Sequence, residues 1–249
     1  MTQNSGLPGG ASVPVSRRSV KSKYFPNWFR LLNANLWGNE LAVMSNCRHN
    51  CSQQLLGLKE KFSAAEGRLI DQAFELAWRA HYGQFRLSNE PYVTHALATA
   101  QIVKEWGLGA EEIAAALCHD VVEDGLLNGN KIDKEYVAGL LGNRVADLVD
   151  GITELGKEPD YVGSKPSKDY IFGKLLEATR KDPSVLIVKF ADRLHNMRTL
   201  AYAKSESARK KAAETLYIYS PIADISGMWV LKRDFEELAF EYLEPERYQ

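Results

Sequence analysis

Four side chains that can bind a metal or transfer a proton lie within the seven residues Cys118–Asp124. They are His119, Asp120, Glu123 and Asp124. At about 100° per residue these four fall within a helical arc of about 140°, and Val121 and Val122 point the other way. The preceding apolar run leads this face inward, where carboxylates are unfavourable unless they bind a metal or one another. A solvated acidic helix end is the alternative that this segment alone leaves open.

Two further segments carry ligand-type side chains on predicted helices. His95 lies in line with apolar residues, so its ring is expected to point inward as a hydrogen-bonded core residue or as a metal ligand. Asp192, Asn196 and Thr199 lie within about 60° of one another, opposite an apolar arc. The alternative there is a solvated polar face. Three such segments favour one shared site, and the sequence leaves their convergence in space open.

The ligand types restrict the metal. Imidazoles from His95 and His119 and carboxylates from Asp120 and Asp192 suit a first-row divalent ion such as Mn²⁺ or Fe²⁺, with Zn²⁺ also possible. Such an ion acidifies water and so supplies a nucleophile for attack on phosphorus. Glu123 and Asp124, one helical turn after His119 and Asp120, are then predicted to transfer protons and orient water.

The elements that carry these residues are predicted to be helices. Ser63 and Glu66 form a capping box for a helix that runs to about residue 81. Asp182 caps a helix that begins at Pro183 and runs to about residue 203. Further helices are predicted over 92–106, 110–123, 131–141, 143–155, 168–181, from 205 until Pro221 interrupts, and over 230–243, with a loop over 156–167. The fold class is therefore all-α, a compact multi-helix bundle.

The composition is that of a globular domain with an N-terminal extension. The 249 residues are 45% hydrophobic and carry a net charge of −1, which offers no basic field for nucleic acid. Three cysteines are too few for a disulfide framework, and no apolar run predicts a membrane span. Residues 1–54 are predicted to be a weakly ordered tail, or else an acid-poor targeting segment, and residues 55–249 the folded domain. We expect a cytoplasmic protein without nucleic-acid or membrane partners, and the oligomeric state stays open.

Several motifs make the sequence resemble a known family. They are HYGQFRLSNEPYVTH (81–95), ALCHDVVEDG (116–125), VDGITEL (149–155), VKFADRLHNMRTL (188–200) and ETLYIYSPIADISGM (214–228). In order and spacing they are similar to the hydrolase domain of the RelA/SpoT family, which removes pyrophosphate from the 3′ position of the alarmone (p)ppGpp. The resemblance runs from about Leu55 to the C-terminus. It implies an HD-domain bundle that degrades the alarmone of the stringent response to GDP or GTP and pyrophosphate.

The resemblance also implies roles for individual residues. Mn²⁺ would be bound by His95, His119, Asp120 and Asp192, and the catalytic carboxylates would be Glu123 and Asp124. Arg86 would pack on the guanine base, and the guanosine nucleotide pocket would also include Ser88, Tyr92, Asn196 and Thr199. The family's usual Arg-Lys-Ser-Gly stretch reads Arg86-Leu87-Ser88-Asn89 here, which removes a cation beside the nucleotide.

Two other functions stay open at this point. An HD phosphohydrolase that acts on another nucleotide, such as NADPH, would be consistent with the missing lysine at position 87. A catalytically idle nucleotide-binding regulator is the second, and the intact carboxylates argue against it. The chain stops about where the family's synthetase domain would begin. We therefore expect no alarmone synthesis, and either a stand-alone hydrolase or a part of a longer enzyme.

Overall fold

The computed structural model describes residues 34–156 and 168–248. Within these ranges the chain is helical almost throughout, which confirms the predicted all-α bundle. The helices are α1 (Ala34–Lys59), α2 (Ala64–Ala80), α3 (Val93–Glu105), α4 (Ala110–Cys118), α5 (Val121–Asp124), α6 (Lys134–Leu141), α7 (Asn143–Gly156), α8 (Lys168–Lys181), α9 (Pro183–Arg198), α10 (Ser205–Glu214), α11 (Ser220–Ile225), α12 (Trp229–Leu243) and α13 (Pro245–Tyr248). A 3-10 turn covers Leu200–Tyr202 and a π-helical segment covers Thr215–Tyr219. The predicted loop over 156–167 falls, apart from its first residue, outside the described residues.

Capping residues determine where α2 and α9 begin. Ser63 Oγ accepts a hydrogen bond from the Glu66 N–H at 3.3 Å, and Glu66 Oε2 accepts one from the Ser63 N–H at 2.8 Å. This confirms the predicted capping box. At the start of α9, Asp182 Oδ1 accepts from the Ser184 N–H at 2.8 Å, and Pro183 has no N–H that would need a partner.

A small hairpin lies where the sequence predicts the start of a helix at residue 131. Strand β1 (Leu126–Leu127) pairs antiparallel with β2 (Asn130–Lys131). The turn Asn128-Gly129 between them has positive φ at both residues, 52° and 85°. Asn-Gly is the pair that such a type I′ turn favours. Helix α6 therefore begins only at Lys134, where the Asp133 carboxylate caps it.

Two helix ends also differ from the prediction. Helix α9 stops at Arg198 instead of continuing to about residue 203, because the chain tightens into a 3-10 turn. Pro221 does not interrupt its helix, since α10 continues through the π-helical segment into α11. In that segment the Ser220 N–H bonds to Thr215 O, five residues back. This wider turn lies directly before the residue that has no N–H to donate.

Helix α1 was not predicted from the sequence pattern. From Met44 onward it presents one apolar stripe to the core, and each of its members is at most 9% exposed. The stripe consists of Met44, Cys47, Cys51, Leu55 and Leu58. Residues of α1 before Leu55 thus share the core with the rest of the bundle. A weakly ordered extension before them stays a prediction.

Helix α4 lies at the centre of the bundle. Every residue from Ile113 to Cys118 is buried, and the helix packs against α2, α3, α7 and α9. Cys118 Sγ donates to Ala73 O at 3.4 Å, which ties the end of α4 to α2. His119, the residue directly after α4, is therefore buried inside the bundle. Among the described residues, no helix is both long enough and apolar enough to cross a membrane.

Candidate functional site

The four predicted ligands converge where α3, α4 and α9 meet. His95 Nε2 lies 3.2 Å from His119 Nε2 and 3.2 Å from Asp192 Oδ1. His119 Nε2 lies 3.1 Å from Asp120 Oδ2 and 3.7 Å from Asp192 Oδ1. Both imidazoles and Asp192 are buried, and Asp120 is partly exposed. The convergence in space that the sequence left open is therefore present. We call these four residues the ligand cluster.

A break in the helix positions His119 and Asp120. The sequence predicts one helix over 110–123, but α4 ends earlier and the separate turn α5 begins at Val121. Asp120 has φ −102° and ψ 0°, close to the bridge region in which many active-site residues lie. Its carbonyl oxygen accepts from the Asp124 N–H at 2.9 Å. Val121 is buried and the two acidic side chains of α5 are exposed. The valine and the acidic residues therefore still lie on opposite faces of the turn, as predicted.

Both ligand imidazoles have a hydrogen bond on the nitrogen that points away from the cluster. His119 Nδ1 donates to Ala116 O at 2.8 Å. His95 Nδ1 lies 2.7 Å from Nδ1 of His195. Contacts of this kind fix the ring orientation of metal-binding histidines.

Both carboxylates are also held by neighbours. The Tyr92 hydroxyl donates to Asp120 Oδ2 at 2.6 Å. Asn196 Nδ2 donates to Asp192 Oδ1 at 2.6 Å, and Lys189 Nζ lies 3.1 Å from Asp192 Oδ2. Each carboxylate therefore has a defined orientation within the cluster.

The pKa values in the cluster reflect burial and mixed charge. Burial disfavours the charged form of His119, but Asp120 and Asp192 outweigh it and raise the pKa of His119 to about 9. Burial lowers the pKa of His95. Burial also acts to raise the pKa of Asp192, but Lys189 and His95 outweigh it, so this pKa lies well below its usual range. Ionised carboxylates beside two imidazoles attract cations, and the donor set suits a divalent metal.

Glu123 and Asp124 lie on α5, shortly after His119 and Asp120. Partial desolvation raises the pKa of Glu123, and the negative charges of Asp120 and Asp124 raise it further. The carbonyl oxygen of Glu123 accepts from Lys131 Nζ, and that of Asp124 accepts from Gln84 Nε2 at 3.1 Å. The backbone of α5 is thus anchored on both sides.

Arg86 is linked to the ligand cluster through Asn196. Arg86 Nη2 donates to Asn196 Oδ1 at 2.8 Å, and the Asn196 amide in turn donates to Asp192. The guanidinium carbon of Arg86 lies 5.9 Å from the centre of the Tyr92 ring. The structure therefore brings Arg86, Asn196 and Tyr92 together with the ligands.

The other predicted nucleotide-binding side chains make local contacts. Ser88 Oγ donates to Glu90 Oε2 at 2.9 Å, and Thr199 Oγ1 donates to His195 O at 3.0 Å. Neither of these bonds reaches the ligand cluster. The Tyr92 hydroxyl is directed at Asp120, a member of the ligand cluster. Nucleotide binding by these three residues, and by Arg86 and Asn196, stays a prediction.

Two residues near the cluster were given no role from the sequence. Lys189 and His195 contact Asp192 and His95 respectively. Each lies three residues from Asp192 on α9, and residues at this spacing are neighbours on a helix surface. This spacing was the available signal, and the polar face drawn through Asp192 and Asn196 left both residues out.

Comparison with known proteins identifies the domain. Residues 73–229 match the family model described as HD domain. The chain belongs to the HD-domain family. This HD-domain protein is 42% identical over 180 residues to the bifunctional (p)ppGpp synthase/hydrolase SpoT of Escherichia coli K12. The matched residues make up 72% of the chain and 25% of the relative. It is 39% identical over 180 residues to the guanosine-3′,5′-bis(diphosphate) 3′-pyrophosphohydrolase of Aquifex aeolicus, with coverages of 72% and 25%.

The HD-domain protein also matches a further curated relative and a solved structure. It is 41% identical over 192 residues to the GTP pyrophosphokinase of Streptomyces coelicolor, which covers 77% of the chain and 22% of the relative. The chain spans about a quarter of the length of the curated relatives it matches. The solved structure of a metazoan ortholog of SpoT, described as hydrolysing ppGpp, matches with a TM-score of 0.51 at 20% identity. The match covers 76% of this chain and 99% of that one, and it supports the fold. The resemblance to RelA/SpoT hydrolases is confirmed by the named relatives.

Proposed function

We propose that this HD-domain protein is a divalent-metal-dependent 3′-pyrophosphohydrolase of ppGpp and pppGpp. The observation that carries the proposal is the convergence of two imidazole nitrogens and two carboxylates. The nitrogens lie 3.2 Å apart, and each lies 3.1 to 3.9 Å from the two carboxylates. The names of two relatives, as a (p)ppGpp synthase/hydrolase and a 3′-pyrophosphohydrolase, support the choice of substrate.

The ligand cluster is the proposed metal site. His95, His119 and Asp120 each offer a ligand atom, and these atoms lie within 4.8 Å of one another, with Asp192 beside them. A bound divalent ion would polarise phosphoryl oxygens and make water more acidic. The mixed nitrogen and oxygen donors favour Mn²⁺, with Fe²⁺ or Zn²⁺ as alternatives. Lys189 keeps Asp192 ionised and oriented for this role.

The proposed reaction is hydrolysis at the ribose 3′ position. The oxygen of a water molecule bonds to the phosphorus attached to the 3′ oxygen, and the bond between that phosphorus and the 3′ oxygen breaks. One proton leaves the water and one reaches the 3′ oxygen, so the products are GDP or GTP and pyrophosphate. Glu123 and Asp124 are proposed to carry these protons, because they lie on the turn that directly follows two of the ligands.

Arg86 is proposed to hold the guanine base. A planar guanidinium can stack on a purine in a way that lysine cannot, and its bond to Asn196 sets its orientation relative to the metal ligands. Ser88, Tyr92 and Thr199 are proposed to complete the pocket. Leu87 is 75% exposed at the position where the family has a lysine, so the nucleotide loses that cationic contact.

The test is Mn²⁺-dependent hydrolysis by the purified chain, measured as release of pyrophosphate from ppGpp and pppGpp and as release of orthophosphate from NADPH. We expect turnover of the guanosine substrates, none in Asp120→Ala, and wild-type rates in Asp224→Ala, an exposed aspartate on α11. Absence of ppGpp turnover by metal-loaded wild-type protein, or faster turnover of NADPH, would reject the proposal. A cytoplasmic location stays a prediction.

A further inference from the structure

His195 contacts the ligand cluster and has no part in the proposed reaction. Its Nδ1 lies 2.7 Å from Nδ1 of His95, and the two ring centres are 4.8 Å apart. Two ring nitrogens at this distance share a hydrogen bond, so one carries the proton and the other accepts it. This bond therefore determines which nitrogen of His95 is protonated.

Metal binding is possible with only one of the two positions of the proton on His95. His95 Nε2 faces His119 Nε2 and Asp192 Oδ1, each at 3.2 Å, so Nε2 is the ligand atom of the ring. A ligand nitrogen must be unprotonated, which leaves the proton of the neutral ring on Nδ1. Within the described part of the chain, the acceptor at hydrogen-bond distance from that Nδ1 is His195.

The Nδ1 atoms of the two ligand imidazoles have different kinds of hydrogen-bond acceptor. His119 Nδ1 donates to the backbone carbonyl of Ala116, an acceptor that no substitution removes. His95 relies instead on the side chain of His195. Helix α9 carries both Asp192 and His195, three residues apart, so one rigid element supplies a ligand and the support for another ligand.

We propose that His195 is a positioning residue, which accepts the Nδ1 proton of His95 and so holds the ring in the tautomer and orientation that let Nε2 bind the metal. The inference rests on the proposed metal site. Removing an outer hydrogen-bond partner of this kind lowers metal affinity about 10- to 100-fold.

The first test measures Mn²⁺ binding to the full chain by calorimetry. His195→Ala removes the acceptor, whereas His195→Asn places a carboxamide oxygen near the position of Nδ1. We expect His195→Ala to weaken Mn²⁺ binding about 10- to 100-fold, and His195→Asn to recover most of the loss. His49→Ala, which removes an exposed histidine on α1, is the matched control and should bind as wild type. Unchanged affinity in a folded His195→Ala variant overturns the inference.

The second test reads the tautomer directly and needs no variant. Long-range nitrogen–proton NMR of the wild-type protein loaded with diamagnetic Zn²⁺ should show a proton on His95 Nδ1 and none on Nε2. The opposite pattern overturns the inference even if His195→Ala fails to fold. Wild-type protein that binds no divalent ion would instead contradict the proposed function, and so the two failures are distinguishable.

Discussion

The Tyr92 hydroxyl donates a hydrogen bond to Asp120 Oδ2 at 2.6 Å, and the same carboxylate oxygen lies 3.1 Å from His119 Nε2. The Tyr92 ring stacks on His81, with ring centres 4.6 Å apart. His81 Nδ1 and Gln84 Oε1 are 2.9 Å apart, which holds the stacked ring in turn. The segment that precedes α3 thus orients Asp120 towards the other members of the ligand cluster.

Tyr92→Phe should weaken Mn²⁺ binding about 10- to 100-fold, because Asp120 loses its donor while the ring packing is kept. Calorimetric titration of the metal-free protein measures the change. Tyr82→Phe, at a tyrosine that is 53% exposed, is the control and should bind as wild type. Equal affinities in the two variants would show that the hydroxyl does not orient a ligand.

Glu123→Gln should lower kcat about 10²- to 10⁴-fold and leave the Mn²⁺ affinity close to that of wild type, because an amide cannot carry the proton. Steady-state kinetics at saturating metal, together with a binding titration, separate the two quantities. Glu237→Gln, on an exposed position of α12, is the matched control. A wild-type kcat in Glu123→Gln would remove this residue from the reaction.

The same substitution should also change stability in the metal-free protein. The pKa of Glu123 is raised in the folded state, so ionisation of its carboxyl disfavours folding once the pH exceeds the ordinary glutamate pKa of about 4.3. Glu123→Gln should therefore melt at a higher temperature than wild type above the raised pKa. The difference should vanish as the pH falls below the ordinary value. A gap in melting temperature that is independent of pH would contradict the assigned direction of the shift.

Removal of the metal should destabilise the fold, because binding to the folded state alone stabilises it. At a free Mn²⁺ concentration 100 times the Kd, the gain is about 2.7 kcal/mol. Thermal denaturation with Mn²⁺ and with a chelator measures it, and Asp120→Ala should show almost no shift. A wild-type melting temperature that does not respond to Mn²⁺ would count against a site in the ligand cluster.

Local signals made much of the fold predictable. Ser63 and Asp182 cap their helices as predicted, because a cap depends on residues within a few positions of it. Helix α1 was missed although its buried stripe has helical spacing. Two members of that stripe are Cys47 and Cys51, which behave here as small buried hydrophobes. The Asn128-Gly129 turn was also a readable signal for the hairpin.

The candidate site was only partly predictable, for a different reason. The ligands were named from residue types and from the resemblance, and the structure brings all four together. Tyr92 and Asp120 are 28 residues apart, and His95 and His195 are 100 apart. Periodicity describes one helix at a time, so it cannot predict a hydrogen bond between segments that are distant in sequence. The break between α4 and α5 was likewise not encoded by a glycine or proline.

The central claim is that one ion in the ligand cluster supports alarmone hydrolysis. The most direct measurement is a titration of metal-free protein with Mn²⁺, in which bound metal and pyrophosphate release from ppGpp are followed together. The account predicts that turnover rises from zero and saturates at about one ion per chain. Turnover that persists in the presence of a chelator, or one bound ion with no release of pyrophosphate, would contradict it.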